Sequence, residues 1–369
     1  AAGENRASLR TLTLGFKEYR GLPDDEVLVA EKVAAALGVR HETYWVSRED
    51  FRVDLASILD AMDQPSTDGV NAYFICREAG RAGIKVALSG LGGDELFGGY
   101  PSFRDVPRMA RWLRPSALLP VAGRLSRLVA RPLLSRLTSP KFASLLEYGG
   151  SYEGAYVLRR ALFMPWELRD VLDPVAVRVG LERLDVLRRV ADTFRGIRSG
   201  HARVAAMELS WYMRNQLLRD ADWAGMAHSV EVRVPLVDPT LFRTISPWLV
   251  SAAPPRKANV AAVARVPLMQ EILRRPKTGF SVPVREWIAG DRRAAPVVGH
   301  RAGPRHVVGE LVRVHALRVG QVALVVADGD QGGTHPREHL GGVRADVAEA
   351  LHGEGAAVQV EAAVARPLG

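Results

Sequence analysis

The chain has 369 residues, with 50 Lys and Arg against 41 Asp and Glu for a net charge of +9, and 47% of its residues are hydrophobic. That much apolar material builds one large or two ordinary packed domains and excludes a disordered or fibrous chain. No apolar run reaches the roughly 18 residues of a membrane span, the first residues lack a basic-then-apolar secretory pattern, and the lone Cys76 excludes an intramolecular disulfide, so a reducing cytoplasm is the expected setting.

Leu9 to Phe16 alternates as a strand does. Val27, Ala30, Val33, Ala34 and Leu37 form one helical face within Asp24 to Leu37, and Gly38 stops that helix. His41 to Val46 reads as a second strand, so strand, helix and strand predict a parallel sheet with crossovers. A helix is expected within Ser57 to Gly69, followed by the polar loop Asp63 to Val70. An amphipathic helix over Asn71 to Ala82 leads into a third strand. Cys76 reads as a small core residue rather than a nucleophile.

Ile84 to Tyr100, IKVALSGLGGDELFGGY, organises the rest. A short apolar run ending at Ser89-Gly90 has the pattern of a buried parallel strand entering a loop, which would make three strands of one sheet by Gly99. Gly90, Gly92 and Gly93 admit a ligand close to the backbone, and Asp94 and Glu95 place carboxylates where a short helix starts. The spacing is not a dinucleotide fingerprint, since the third position is Glu95, and no GxxxxGK[ST] loop occurs in the chain. Acids beside phosphates need a hard cation between them, so the chemistry favours a magnesium-nucleotide.

Between Arg104 and Lys141, eight arginines and that lysine face the single acid Asp105, interleaved with Trp112, Leu118, Leu119, Leu125, Leu128 and Val129. The plainest expectation is solvated arginines on helices that pack their apolar faces inward; membrane-surface contact through Arg104 to Arg136 is the rival. Residues 101–200 read as helices, with Arg159, Arg160, Arg188 and Arg189 on solvated faces. His201 to Leu218 is a further helix. Asp220 and Asp222 are candidate metal or substrate groups, and His228 reads as a structural residue more readily than as a base. Glu231 and Arg233 share one face of an extended segment, where they can pair with each other or bind ligand.

Ser89 to Tyr100, SGLGGDELFGGY, resembles the signature of the synthetase domain of glutamine-dependent asparagine synthetases. Met226 to Asp238, MAHSVEVRVPLVD, and Lys277 to Trp287, KTGFSVPVREW, resemble that family's two later motifs, in the same order. The resemblance covers about residues 9 to 290: an α/β part over 1–100 and a mainly helical part over 101–290. It implies an α/β fold with the parallel sheet of PP-loop ATP pyrophosphatases (adenine nucleotide alpha hydrolase-like) and a large helical region.

By that resemblance, Leu14 lines an adenine site through its backbone, Ser89 and Gly90 contact ATP, Asp94 binds Mg2+, and Lys277 holds the departing pyrophosphate. Asp68 lies in a loop resembling the family's substrate-facing loop, and Glu231 and Arg233 lie under the active site. The implied reaction adenylates a carboxylate, expels pyrophosphate and lets ammonia form the amide, with aspartate the expected substrate. The family's SGGxDS loop and its ammonia-supplying glutaminase domain are expected upstream of Ala1, and without them activity of this chain is in question. Leu91 stands where many asparagine synthetases have an acid, which keeps open another carboxylate, such as a sugar acid of a surface polysaccharide. A catalytically dead binding module is the second reading, and a PP-loop enzyme acting on tRNA or sulfur transfer the third, without the paired cysteines the last would need.

After Ile288 there is no aromatic residue, Lys, Met or Asn, while Val, Ala, Gly, Arg and His dominate. Residues 291–369 therefore read as a tail of unrelated composition, possible origins being a shifted reading frame or a fusion. Leu311 to Ala327 is a candidate for strands within it, and His335 and His339 read as incidental.

Overall fold

A computed structural model describes residues 9–22, 25–64, 66, 69–137, 139–170, 172–262, 282–284 and 287. The tail, Asp68 and Lys277 lie outside the described residues.

The amino-terminal part is α/β. Strand β1 (Arg10–Phe16) pairs in parallel with β2 (Arg40–Val46), with Leu14 opposite Tyr44. Helix α1 (Val27–Leu37) crosses between them, buries Val27 and Ala34 as its spacing predicts, and ends at Gly38, whose φ of 65° is the left-handed cap that glycine takes without strain. Helix α2 (Arg48–Ala61) begins nine residues before the expected segment. Ser47 and Asp50 form a reciprocal capping box there, worth about 1 kcal/mol, and that S-x-x-D pattern is the signal that marks the true start. Helix α3 (Gly69–Arg81) precedes β3 (Val86–Leu88) and the single-turn α4 (Gly93–Leu96).

The helical layer follows as α5 (Ser102–Trp112), α6 (Pro120–Leu137), α7 (Leu145–Tyr148), α8 (Tyr152–Arg160), α9 (Pro174–Leu184), α10 (Val186–Thr193) and α11 (Gly200–Met207). A π-helical segment, Glu208–Leu217, continues α11 directly into α12 (Leu218–Ala227). Strand β4 (Glu231–Arg233), α13 (Pro239–Leu249) and α14 (Lys257–Ala262) complete the described elements.

Two expectations about the sheet need correction. The first three strands do not form one sheet: β1 pairs with β2, while β3 pairs in parallel with β4 from 145 residues later, Leu88 standing opposite Arg233. Local strand order cannot reveal a partner so distant in sequence. Strand β3 is also not buried; Val86 and Leu88 are 42% and 62% exposed, because β4 is its one ladder partner among the described residues.

The two sheets share a core. Leu14, Phe16, Val46, Phe51, Ile58, Tyr73, Phe74, Cys76 and Trp223 pack together, with Val232 of β4 against them. Burial of Phe74 and Ile58 alone removes two large side chains from water, each worth roughly 1.5–3 kcal/mol. A second cluster, including Val106, Leu158, Met164 and Met207, holds the helical layer together.

The basic stretch departs from expectation. Trp112, Leu118, Leu125, Leu128 and Val129 are exposed rather than packed inward. Arg160 is drawn into the protein, whereas Arg188 and Arg189 lie on a solvated face as expected.

Candidate active site

The turn after β3 is held by main-chain bonds to β4. Glu231 N–H donates to Lys85 O at 2.9 Å, and Ser89 N–H donates to Arg233 O at 2.8 Å, so Ser89 leaves the strand in a fixed direction. Gly92 has a φ of 99° and lies so close to Leu236 O that a Cβ there would come within 3.0 Å. Gly90 differs: among the described residues a Cβ at that position would meet nothing within 4 Å. The turn is thus wedged on one side by the residues after β4 and open at Gly90, at the carboxyl end of a parallel strand, the end where α/β sheets bind ligands.

Asp94 stands in the first turn of α4. Its Oδ1 forms an ion pair with Lys257 Nζ, and its carboxylate is backed by Gly99, where a Cβ would collide with it. Among the described residues no group of three His, Cys, Asp or Glu could hold a metal ion. A single carboxylate suits a Mg2+ ion carried mainly by nucleotide phosphates and water, and the placement of Lys257 shows that this oxygen already receives a cation.

Behind the turn lies a buried polar network that sequence reasoning missed. Glu95, 1% exposed, accepts a hydrogen bond from Tyr100 Oη at 2.7 Å. The Arg160 guanidinium sits in the corner made by the rings of Tyr100 and Tyr212, 4.3 and 3.8 Å from their centroids, the two rings standing edge-to-face at 86°. Arg160 Nε donates to both carboxylate oxygens of Glu208, at 3.1 and 2.9 Å, and Glu208 is fully buried. Ser102 and Tyr156 hydroxyls also donate to Glu208. Burial pushes the carboxyls of Glu95 and Glu208 above the usual range, opposed at Glu208 by the Arg160 charge. Burial likewise raises the Tyr100 hydroxyl. Glu208 opens the π-helical segment, an irregularity that often accompanies function. An isolated Glu or Arg in a helical run carries no sign of such pairing.

The other predicted residues fall into two groups. Leu14, 5% exposed, sits in the shared core, while Ser89 and Gly90 are carried by the second sheet; Val232 and α12 link the two. Trp287, from the third motif, is buried against Phe16 and Phe51 at 5.7 and 5.1 Å and donates to Glu18 Oε1 at 2.5 Å, so all three motifs are tied to this assembly.

Glu231 and Arg233, both 59% exposed, pair with each other at 2.8 Å. Asp220 accepts hydrogen bonds from Ser66 at 2.5 Å and Trp223 at 3.0 Å, which anchors the loop before α3, while Asp222 is exposed. His228 lies edge-on to Tyr73 at 4.4 Å, and burial lowers its pKa, so it is held neutral more readily than a free histidine. Cys76 is buried with its thiol pushed up to about 11, a core residue as expected.

Small parallel sheets, a helix-rich layer and a glycine turn with an acid at the following helix start define a mixed α/β protein with its candidate site at a strand's carboxyl end. The chain belongs to the asparagine synthase family, whose model matches residues 1–318. It is 36% identical over 287 residues to a Mycobacterium tuberculosis protein provisionally named a glutamine-hydrolysing asparagine synthetase, covering 76% of this chain and 42% of that relative. It is 29% identical over 300 residues to glutamine-hydrolysing asparagine synthetase 1 of Bacillus subtilis, covering 79% of this chain and 45% of the relative. The chain therefore spans less than half the length of these curated relatives. No described helix is long and apolar enough to cross a membrane.

Proposed function

We propose that the chain is the synthetase part of an ATP-dependent amide-forming ligase, on a PP-loop type of sheet. The observation that supports this most is the open face at Gly90 in a turn otherwise wedged tight, with Asp94 beside it. A carboxylate is a poor electrophile; adenylation supplies a leaving group that ammonia can displace. In this reading Ser89 and Gly90 lie along the phosphates of ATP and the Leu14 backbone meets the adenine. Asp94 would hold Mg2+, which would neutralise the phosphates, and the ammonium of Lys277 would stabilise charge on the departing pyrophosphate. Asp68, Glu231 and Arg233 face the carboxylate substrate, and ammonia comes from a glutaminase domain or partner. The cytoplasm is the proposed setting.

Aspartate is the first substrate to test. Leu91 cannot accept a proton from the attacking amine, which favours the second reading, an amidotransferase acting on another carboxylate such as a sugar acid. The test is calorimetric titration of the chain with ATP and Mg2+, followed by pyrophosphate release with aspartate and ammonia, then with uronic acids. Binding of ATP that needs Mg2+ and is weakened at least roughly ten-fold by Asp94→Asn is expected. ATP binding that ignores Asp94→Asn would overturn the assignment of that residue, and no ATP binding at all would overturn the ligase reading for this chain.

A further inference from the structure

Helix α6 is packed inside out. Its inward side is Gly123, where a Cβ would come within 2.8 Å of Glu147 Cα, and Arg127, which pairs with Glu147 at 2.7 Å and lies over the Trp166 ring at 5.0 Å. Its outward side is apolar. Val121, Leu125, Leu128 and Val129 are 67%, 58%, 62% and 79% exposed, and at 100° per residue they occupy an arc of roughly 100°. Leu118, just before the helix, is 81% exposed, and Trp112, at the end of α5, is 76% exposed. A soluble helix ordinarily shows water the reverse pattern, so this stripe calls for a cover.

The charge around the stripe indicates what covers it. Arg124 and Arg131 run along one edge of the arc, and Arg108, Arg111 and Arg114 are exposed near Trp112. Arg124 and Arg131 each reach an acid, at 3.7 and 3.0 Å; no acidic partner of Arg108, Arg111 or Arg114 occurs among the described residues. A second copy docked antiparallel through the same stripe would set these arginines against their own counterparts, which is repulsive. An exposed helix of 18 residues, about 27 Å long, with arginines at its edge suits a flat surface that is apolar beneath and anionic on top.

We infer that α6 and the preceding turn from Trp112 to Leu119 form an interfacial membrane-binding element that lays its apolar stripe into the headgroup boundary of an anionic bilayer. Leu125 and Val129 enter the boundary, Trp112 lies at its edge, and the arginines meet lipid phosphates. The inference is independent of the ligase reading.

The test is co-sedimentation of the full chain with phosphatidylcholine vesicles, with and without about one third phosphatidylglycerol. Binding is expected to the anionic vesicles alone, to fall as salt is raised, and to weaken roughly ten-fold or more in Leu125→Glu/Val129→Glu. Because both positions are exposed, circular dichroism and unfolding midpoint should stay those of the parent. Leu184→Glu, an exposed leucine on α9, should bind as the parent does. Equal binding to neutral and anionic vesicles, or none to either, would overturn the inference. So would binding unchanged by the double variant, or a concentration-dependent dimer that the double variant abolishes.

Discussion

Arg160 and Glu208 form the joint between the glycine turn after β3 and the helical layer. The guanidinium donates to a fully buried carboxylate and packs in the corner of two perpendicular rings, Tyr100, from the glycine motif, and Tyr212, from the π-helical segment. The turn is therefore braced from behind by a charge pair whose carboxylate is fully buried, the Arg160 side chain being 22% exposed.

Removing one side of such a pair leaves the other charge stranded in a poor solvent. Arg160→Met is expected to destabilise the chain by about 3 kcal/mol or more in urea unfolding, and adding Glu208→Gln should restore part of the loss. Strict additivity of the two substitutions would show that the joint is not an energetic unit.

Glu95 makes stability depend on pH in a direction set by its burial. Its folded carboxyl titrates above the usual carboxylate range, whereas in the unfolded chain it titrates within it. Between the two, the folded state keeps a proton that the unfolded state has released, so the contribution is complete below the unfolded value and is lost as pH rises through the folded one. Glu95→Gln should remove this loss, so unfolding free energies measured from about pH 4 to pH 8 should increasingly favour the variant as pH rises. A constant difference would show that Glu95 ionises normally.

Substitutions at two glycines of the motif are expected to separate ATP binding from folding. Gly99→Ala drives a methyl group into the Asp94 carboxylate and is expected to cost about 1–3 kcal/mol, with Asp94 displaced from Lys257. Gly90→Ala adds a methyl group that meets none of the described residues, so stability should change by no more than about 0.5 kcal/mol. ATP affinity, followed by calorimetry, should nonetheless fall. Unchanged affinity in Gly90→Ala would remove Gly90 from the nucleotide site.

Regular local signals were legible from residue order. The β1–α1–β2 crossover followed from period two, period 3.6 and a stop glycine, and the short helix at Asp94 followed from its place after the glycines. The three motifs that carry the family resemblance stood in the chain as strings. The Ser47 capping box is a further local signal carried by residue order.

What residue order could not supply was every pairing across long separations. Strand β4 became the partner of β3 through a ladder spanning 145 residues, and Arg160 became the counter-charge of Glu208 across 48. Lys257 reached Asp94 only when α14 folded back. Hydrophobic period alone predicts an inward face for α6, yet Gly123 and Arg127 took the inward side and left the leucines outside. The reason is physical: periodicity reports which residues share a face of an element. Which face is buried depends on what the rest of the chain brings against it, and that is a property of tertiary packing.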